Sequence, residues 1–128
     1  MTINARAAIL AVEICRESPT PDPAAAWDMA VSRFTRSIST RFTGCPRCVF
    51  LGLCGAGLIK GIAAGDYLGR TTKNARYAVT AVELLRENPA VARDTVAMWR
   101  MVTAGAAKKA AGQMEIVVAL WGAGMIEG

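Results

Sequence analysis

Apolar side chains recur along this chain at the three- and four-residue spacing of an amphipathic α-helix. The first case is residues 4–17, where the apolar stripe consists of Ala8, Ala11, Val12 and Cys15. The charged side chains of this stretch lie off the stripe, a pattern typical of a helix with one buried face. A proline-bearing segment follows, and proline ends a helix because it lacks a backbone amide hydrogen.

The same criteria predict three further helices in the first two thirds of the chain. Asp22 and Pro23 begin the second, because aspartate caps free backbone amides and proline is favoured in the first helical turn. A short apolar helix runs from about Pro46 to Ala56 and ends in glycines that favour a left-handed cap. After a glycine-bearing connector, residues 74–87 form the fourth helix.

The fourth helix repeats the first. Residues 4–19 align without gaps on residues 74–89, and ten of the sixteen positions are identical. With small shifts Trp27 then pairs with Trp99, and the Gly-Ala-Gly after the apolar helix recurs near the C-terminus. We therefore predict an all-α fold of six helices, built as two tandem three-helix repeats related by an approximate internal two-fold axis.

The whole chain is predicted to form a single domain, because 128 residues suffice to bury a core without disulfides or metal. Repeat one spans about residues 4–61, the linker about 62–73, and repeat two about 74–128. Gly52 aligns with Ala119 of the second repeat. Because both residues are small, we expect helices to approach closely where the repeats meet.

Composition indicates a folded protein without a membrane span. Hydrophobic residues make up 53% of the chain, yet its longest uncharged apolar runs, 48–59 and 116–126, fall short of the roughly 20 residues that a span requires. The N-terminus carries no pattern of an export signal. We therefore expect a cytoplasmic protein with reduced cysteines and no membrane partner.

The net charge of +5 is unevenly distributed. Residues 33–76 contain eight basic residues and one acid, Asp66, which gives this segment +7 and the remainder −2. Such asymmetry favours an anionic partner. The alternative is that these charges only keep a very apolar core in solution.

Two basic loops are the candidate ligand site. Arg41 in one loop aligns with Lys108 in the other, and Arg47 and Lys109 lie close to them in sequence. Each loop precedes a helix start, where free backbone amides attract phosphate or carboxylate groups. We predict that these four residues bind a nucleic acid backbone or a nucleotide-like molecule, while ordinary solvated loop charge remains the alternative.

The four cysteines include a C-x-x-C motif, Cys45 and Cys48, at the start of the apolar helix. A helix start lowers a thiol pKa, so these two are candidate redox thiols. Cys15 and Cys54 align with apolar residues of the second repeat, and we expect both to be buried. The chain has no histidine and poor zinc-ligand spacing, so we expect neither a metal nor a cofactor.

Several motifs together resemble a small bacterial family of unknown function. They are Asp22-Pro23-x-x-Ala26-Trp27, Gly44-Cys45-Pro46, Phe50-Leu51-Gly52-Leu53-Cys54, Gly57-Leu58-Ile59-Lys60-Gly61-Ile62, Lys73-Asn74 and Gln113-Met114-x-x-Val117-x-Ala119-Leu120-Trp121. The resemblance covers nearly the whole chain but implies no activity. Cys48 departs from the family pattern, so the resemblance does not imply an obligatory pair with Cys45.

The absence of histidine removes the commonest general base, and no carboxylate pair stands out for hydrolysis. We therefore expect a non-enzymatic binding protein for an anionic ligand. Two alternatives stay open: a protein–protein adaptor or homodimeric helical module that uses the apolar surface around the third helices, and a thiol-dependent enzyme or redox protein that uses Cys45.

Overall fold

The computed structural model describes residues 2–19, 22–36, 44–69, 72–106 and 110–127. Over these ranges the chain is all-helical, with six α-helices and no strand, which confirms the predicted fold class. The helices are α1 (Ile3–Glu17), α2 (Pro23–Phe34), α3 (Gly44–Gly55), α4 (Lys73–Glu87), α5 (Thr95–Val102) and α6 (Gln113–Gly122), with a 3₁₀ helix (Pro89–Arg93) before α5. No helix in the described ranges is long and apolar enough to cross a bilayer.

Helices α1, α2, α4 and α5 begin at side-chain caps that the local sequence supplies. The hydroxyl oxygens of Thr2 and Thr72 accept the amides of Ala5 and Ala75, each at 3.1 Å. Asp22 accepts two first-turn amides of α2, which confirms its predicted role as an N-cap. Each cap satisfies amides that have no partner inside their own helix.

Glycine ends the two apolar helices in the same way. Gly57 and Gly124 adopt φ values of +75° and +72°, a left-handed conformation that residues with a Cβ rarely adopt. After Gly57, the amide of Leu58 donates to the carbonyl of Leu53 at 3.1 Å, and the equivalent bond after Gly124 is 3.0 Å. These Schellman caps confirm the predicted left-handed helix ends.

The third helix of each repeat packs mainly against the first helix of the other repeat. Helix α3 packs extensively against α4, whereas α6 packs against α1. At the first of these interfaces, a Cβ placed on Gly52 would lie 2.6 Å from the Cβ of Ala75. The predicted close approach at Gly52 is therefore confirmed, and it joins the two repeats.

The segments that follow α3 and α6 pair with each other. Ile59 and Ile126 lie opposite each other in an isolated antiparallel β-bridge, and both are buried. Two backbone hydrogen bonds of 2.8 Å close the bridge, from the amide of Lys60 to the carbonyl of Met125 and from the amide of Glu127 to the carbonyl of Leu58. The bonded positions are equivalents in the aligned repeats.

Two arginines hold this bridge from outside. The Arg16 guanidinium donates from Nε and Nη2 to the carbonyl of Lys60, at 3.0 and 2.8 Å. Arg86 donates in the same way to the carbonyl of Glu127. Arg16 and Arg86 are equivalents in the alignment, so the same arginine–carbonyl contact occurs in both repeats.

The core draws apolar residues from all six helices. In repeat one the Trp27 and Phe50 rings stack with centroids 5.3 Å apart. In repeat two Tyr77 and Trp99 meet edge to face at 5.4 Å. Both geometries are favoured for aromatic pairs, so the aligned tryptophans pack in different but comparable ways.

Candidate functional site

The predicted ligand-binding residues have different outcomes. Arg47 lies in the first turn of α3, where its Nε is 3.4 Å from Asp28 Oδ1 on α2. Arg41, Lys108 and Lys109 lie outside the described residues, so their proximity stays a prediction. Because Asp28 offsets part of the Arg47 charge, an anion at this position would compete with that carboxylate.

Other basic side chains of the positive segment are exposed. They are Arg33, Arg36, Lys60, Lys73 and Arg76. Arg47–Asp28 is the single ion pair within the described parts of the chain. The positive charge that the sequence concentrates between residues 33 and 76 is therefore little neutralised by described carboxylates.

The described cysteines are packed in the interior. Cys15, Cys48 and Cys54 are buried, which confirms the expected burial of Cys15 and Cys54 and shows that Cys48 is enclosed as well. Burial raises the pKa of the Cys15 thiol, with a smaller contribution from the Asp22 carboxylate. Burial, and secondarily Cys15, raises the pKa of Cys54 far above its usual range. These two thiols stay protonated and are poor nucleophiles.

The side chain of Cys45 lies outside the described residues, so its redox role stays a prediction. No group of three or more metal-binding side chains lies together in the part of the chain that the structure describes.

One cavity of the described structure was missed by the sequence analysis. It is a groove of about 530 Å³ between α1, α6 and the start of α5, a volume in the range of small-molecule sites. We call it the α1–α6 groove. Its lining residues are Thr2, Ala5, Thr95, Glu115, Val118 and Ala119.

A smaller groove lies at the aligned position of the other repeat. It measures about 330 Å³ and runs between α3 and α4. We call it the α3–α4 groove, and its lining residues are Gly52, Ala75, Arg76, Val79 and Thr80. Both grooves form where a third helix meets the first helix of the other repeat, but the charged residue is Glu115 in one and Arg76 in the other.

Glu115 lies in the first turn of α6, where the helix dipole stabilises a carboxylate. It forms no ion pair with a described basic side chain. Gly112, with φ +85°, precedes the helix without a side-chain cap, and a Cβ there would lie 3.7 Å from Asn4 Nδ2 and 3.9 Å from Glu115 Oε2. Within the described ranges, the buried Asn4 Oδ1 has no hydrogen-bond partner. The groove therefore presents one carboxylate that no described basic side chain neutralises.

The small residues at the helix crossings were the sequence signal for the grooves. Gly52 and Ala75 meet in one, and their equivalents Ala119 and Ala5 line the other. Small side chains leave room beside a crossing, but the sequence does not say which helices cross.

Comparison with known proteins identifies a family whose function is unknown. Residues 1–127 match the model of a family of unknown function (DUF6979). No curated protein and no solved structure shows a significant match to the chain.

Proposed function

The chain belongs to the family of unknown function DUF6979, and we propose that it is a non-enzymatic binding protein for an anionic ligand. The observation that carries the proposal is the uneven charge, since residues 33–76 carry +7 within a chain of net +5. A nucleic acid backbone or a nucleotide-like molecule would supply the matching negative charge. Binding of this kind fits a cytoplasmic protein.

The exposure of the basic side chains supports this proposal. Arg33 and Arg36 are exposed at and just after the end of α2, and in the sequence they come shortly before the predicted loop that contains Arg41. Arg47 lies on the other side of that loop and is partly exposed. An anion bound at this predicted loop would lie near several guanidinium groups. A guanidinium group can bind phosphate in a bidentate geometry, through two parallel hydrogen bonds.

The test is a titration of the Arg41→Ala, Lys108→Ala double variant against wild type with short duplex DNA, a single-stranded oligonucleotide and nucleotides. Each titration is repeated at several salt concentrations. For a polyanion, losing both contacts should flatten the slope of log affinity against log salt by about two units. A compact nucleotide should show a weaker salt dependence and a defined stoichiometry.

The matched control is Arg6→Ala, Arg93→Ala, which removes the same charge from exposed positions outside the basic segment. The control should keep the wild-type slope. An equal loss in both double variants would indicate attraction to overall charge alone. Failure of wild type to bind any probe at low salt would contradict the proposal.

The second candidate is a protein–protein adaptor or homodimeric module. Met29 and Met101, which are equivalents in the repeat alignment, are both 53% exposed. Exposed methionine adapts to differently shaped apolar partners. The open grooves beside α3 and α6 provide further apolar surface.

A thiol-dependent role is the remaining alternative, and it depends on Cys45. The other three thiols are buried, and the raised pKa values of Cys15 and Cys54 argue against thiolate chemistry at those two. The absence of histidine makes an activating base harder to supply.

A further inference from the structure

The α1–α6 groove combines apolar walls with one unpaired carboxylate. Ala5, Val118 and Ala119 form the walls, and Glu115 supplies the charge. A small crevice of about 80 Å³ shares Thr95 and Glu115 with the groove. The carboxylate therefore lies where the two spaces join.

The chemistry of this carboxylate selects the charge of an occupant. Glu115 forms no ion pair with a described basic side chain, and none of the other residues that line the groove is charged. An ammonium group supplies three donors and one positive charge. An anion would be repelled by Glu115.

The walls select the body of the occupant. A hydrocarbon chain removes apolar surface from water when it lies against alanine and valine. The volume of about 530 Å³ is in the range of small-molecule pockets.

We propose that the α1–α6 groove binds a small amphipathic amine, with its ammonium group at Glu115 and its hydrocarbon body along Ala5, Val118 and Ala119. This site is separate from the basic surface of the proposed function. The ligand is cationic here and anionic there, so either proposal can fail alone.

The α3–α4 groove provides an internal comparison. It has the same position relative to the repeats, but Arg76 replaces the carboxylate as its charged residue. An ammonium group near Arg76 would be repelled. We therefore expect an amine to bind the α1–α6 groove and not the α3–α4 groove.

The test uses isotopically labelled full-length protein and three probes of equal chain length: octylamine, octanol and octanoate. NMR signals of Ala5, Val118 and Ala119 should shift and saturate with octylamine, while those of Ala75 and Val79 should not. Octylamine should bind more tightly than octanol, and octanoate most weakly. Extending the amine should tighten binding by about two- to fourfold per methylene group, as expected for partial burial of the chain.

The charge variant is Glu115→Gln, which keeps the size of the side chain. It should weaken octylamine binding by about five- to tenfold and leave octanol binding unchanged, because only the amine contacts the carboxylate as an ion. Glu83→Gln is the matched control, since Glu83 is exposed on α4 and does not line the groove. This control should bind octylamine like wild type.

A second variant, Ala119→Leu, tests the volume of the groove. The larger side chain should reduce binding of both octylamine and octanol. Circular dichroism checks that each variant is folded, and the charge variant still tests the proposal if the leucine variant is not. Equal weakening by Glu83→Gln, octanoate binding as tight as octylamine binding, or shifts spread over surface carboxylates would overturn the proposal.

Discussion

At the scale of single residues, the repeats differ at Gly52, which has no side chain where the aligned Ala119 has a methyl group. Gly52 of α3 faces Ala75 of α4, and a Cβ on Gly52 would lie 2.6 Å from the Ala75 Cβ and 2.8 Å from its Cα. The aligned Ala119 of α6 lines a wider groove beside α1. One missing methyl group therefore sets how closely α3 approaches α4.

We expect Gly52→Ala to lower the free energy of unfolding by about 1–2 kcal/mol. The upper part of the usual overpacking cost, about 2–3 kcal/mol, applies because the new Cβ would lie 2.8 Å from the Ala75 backbone, and it exceeds the roughly 1 kcal/mol that alanine contributes as a better helix former. The measurement is urea unfolding followed by circular dichroism.

Gly122→Ala is the control for this variant. A Cβ at Gly122 meets no atom within 4 Å, so alanine should leave stability unchanged or raise it by up to about 1 kcal/mol. Wild-type stability in Gly52→Ala would show that α3 and α4 separate easily.

At the scale of secondary-structure elements, backbone pairing stabilises the packing of each third helix against the first helix of the other repeat. The Ile59–Ile126 bridge joins the segments after α3 and α6, and Arg16 and Arg86 donate to carbonyls on either side of it. These carbonyls, of Lys60 and Glu127, lie beyond the ends of α3 and α6, and the arginines of the first helix of each repeat reach them with two guanidinium N–H groups each.

We expect Arg16→Lys to loosen this bridge. Lysine keeps the charge but cannot reproduce the two-pronged guanidinium contact with the Lys60 carbonyl, so stability should fall by about 0.5–1.5 kcal/mol. Hydrogen exchange at the amides of Lys60 and Glu127 should accelerate. Arg6→Lys, at an exposed position of the same helix, should change neither quantity. Unaltered exchange in the first variant would show that the bridge forms without the arginine.

At the scale of the whole molecule, each repeat packs its third helix against the other repeat, and the two repeats share one core. Helix α3 packs on α4 and α6 on α1, and residues of both repeats contribute to the core cluster. A three-helix repeat alone would expose the face that the other repeat covers. Apolar burial therefore couples the two repeats.

The approximate internal two-fold axis remains a prediction at this scale. Residues 4–61 of an experimentally determined structure should superpose on residues 74–128 with the same helix order and directions. Recurrence of the glycine caps and arginine contacts at aligned positions supports this expectation. Halves with different helix arrangements would refute it.

Local interactions explain why the sequence predicted the helices so closely. Capping and apolar spacing act within a few residues, so Asp22 and Gly57 could be assigned before any packing was known. The first helix was predicted over 4–17 and observed over Ile3–Glu17. The 3₁₀ helix Pro89–Arg93 was not predicted. In the repeat alignment this segment contains only a two-residue insertion, which does not indicate a helix.

The sequence by itself determined the starts of α1 to α4 to within two residues, the duplication and the burial of Cys15 and Cys54, because each follows from local spacing or from aligned positions. Tertiary structure decided which helices pack together and that Arg47 pairs with Asp28. It also decided that α3 and α6 each lie beside a groove, one lined by Arg76 and the other by Glu115. These features depend on residues far apart in the chain, and an amphipathic stripe identifies a buried face without identifying its partner.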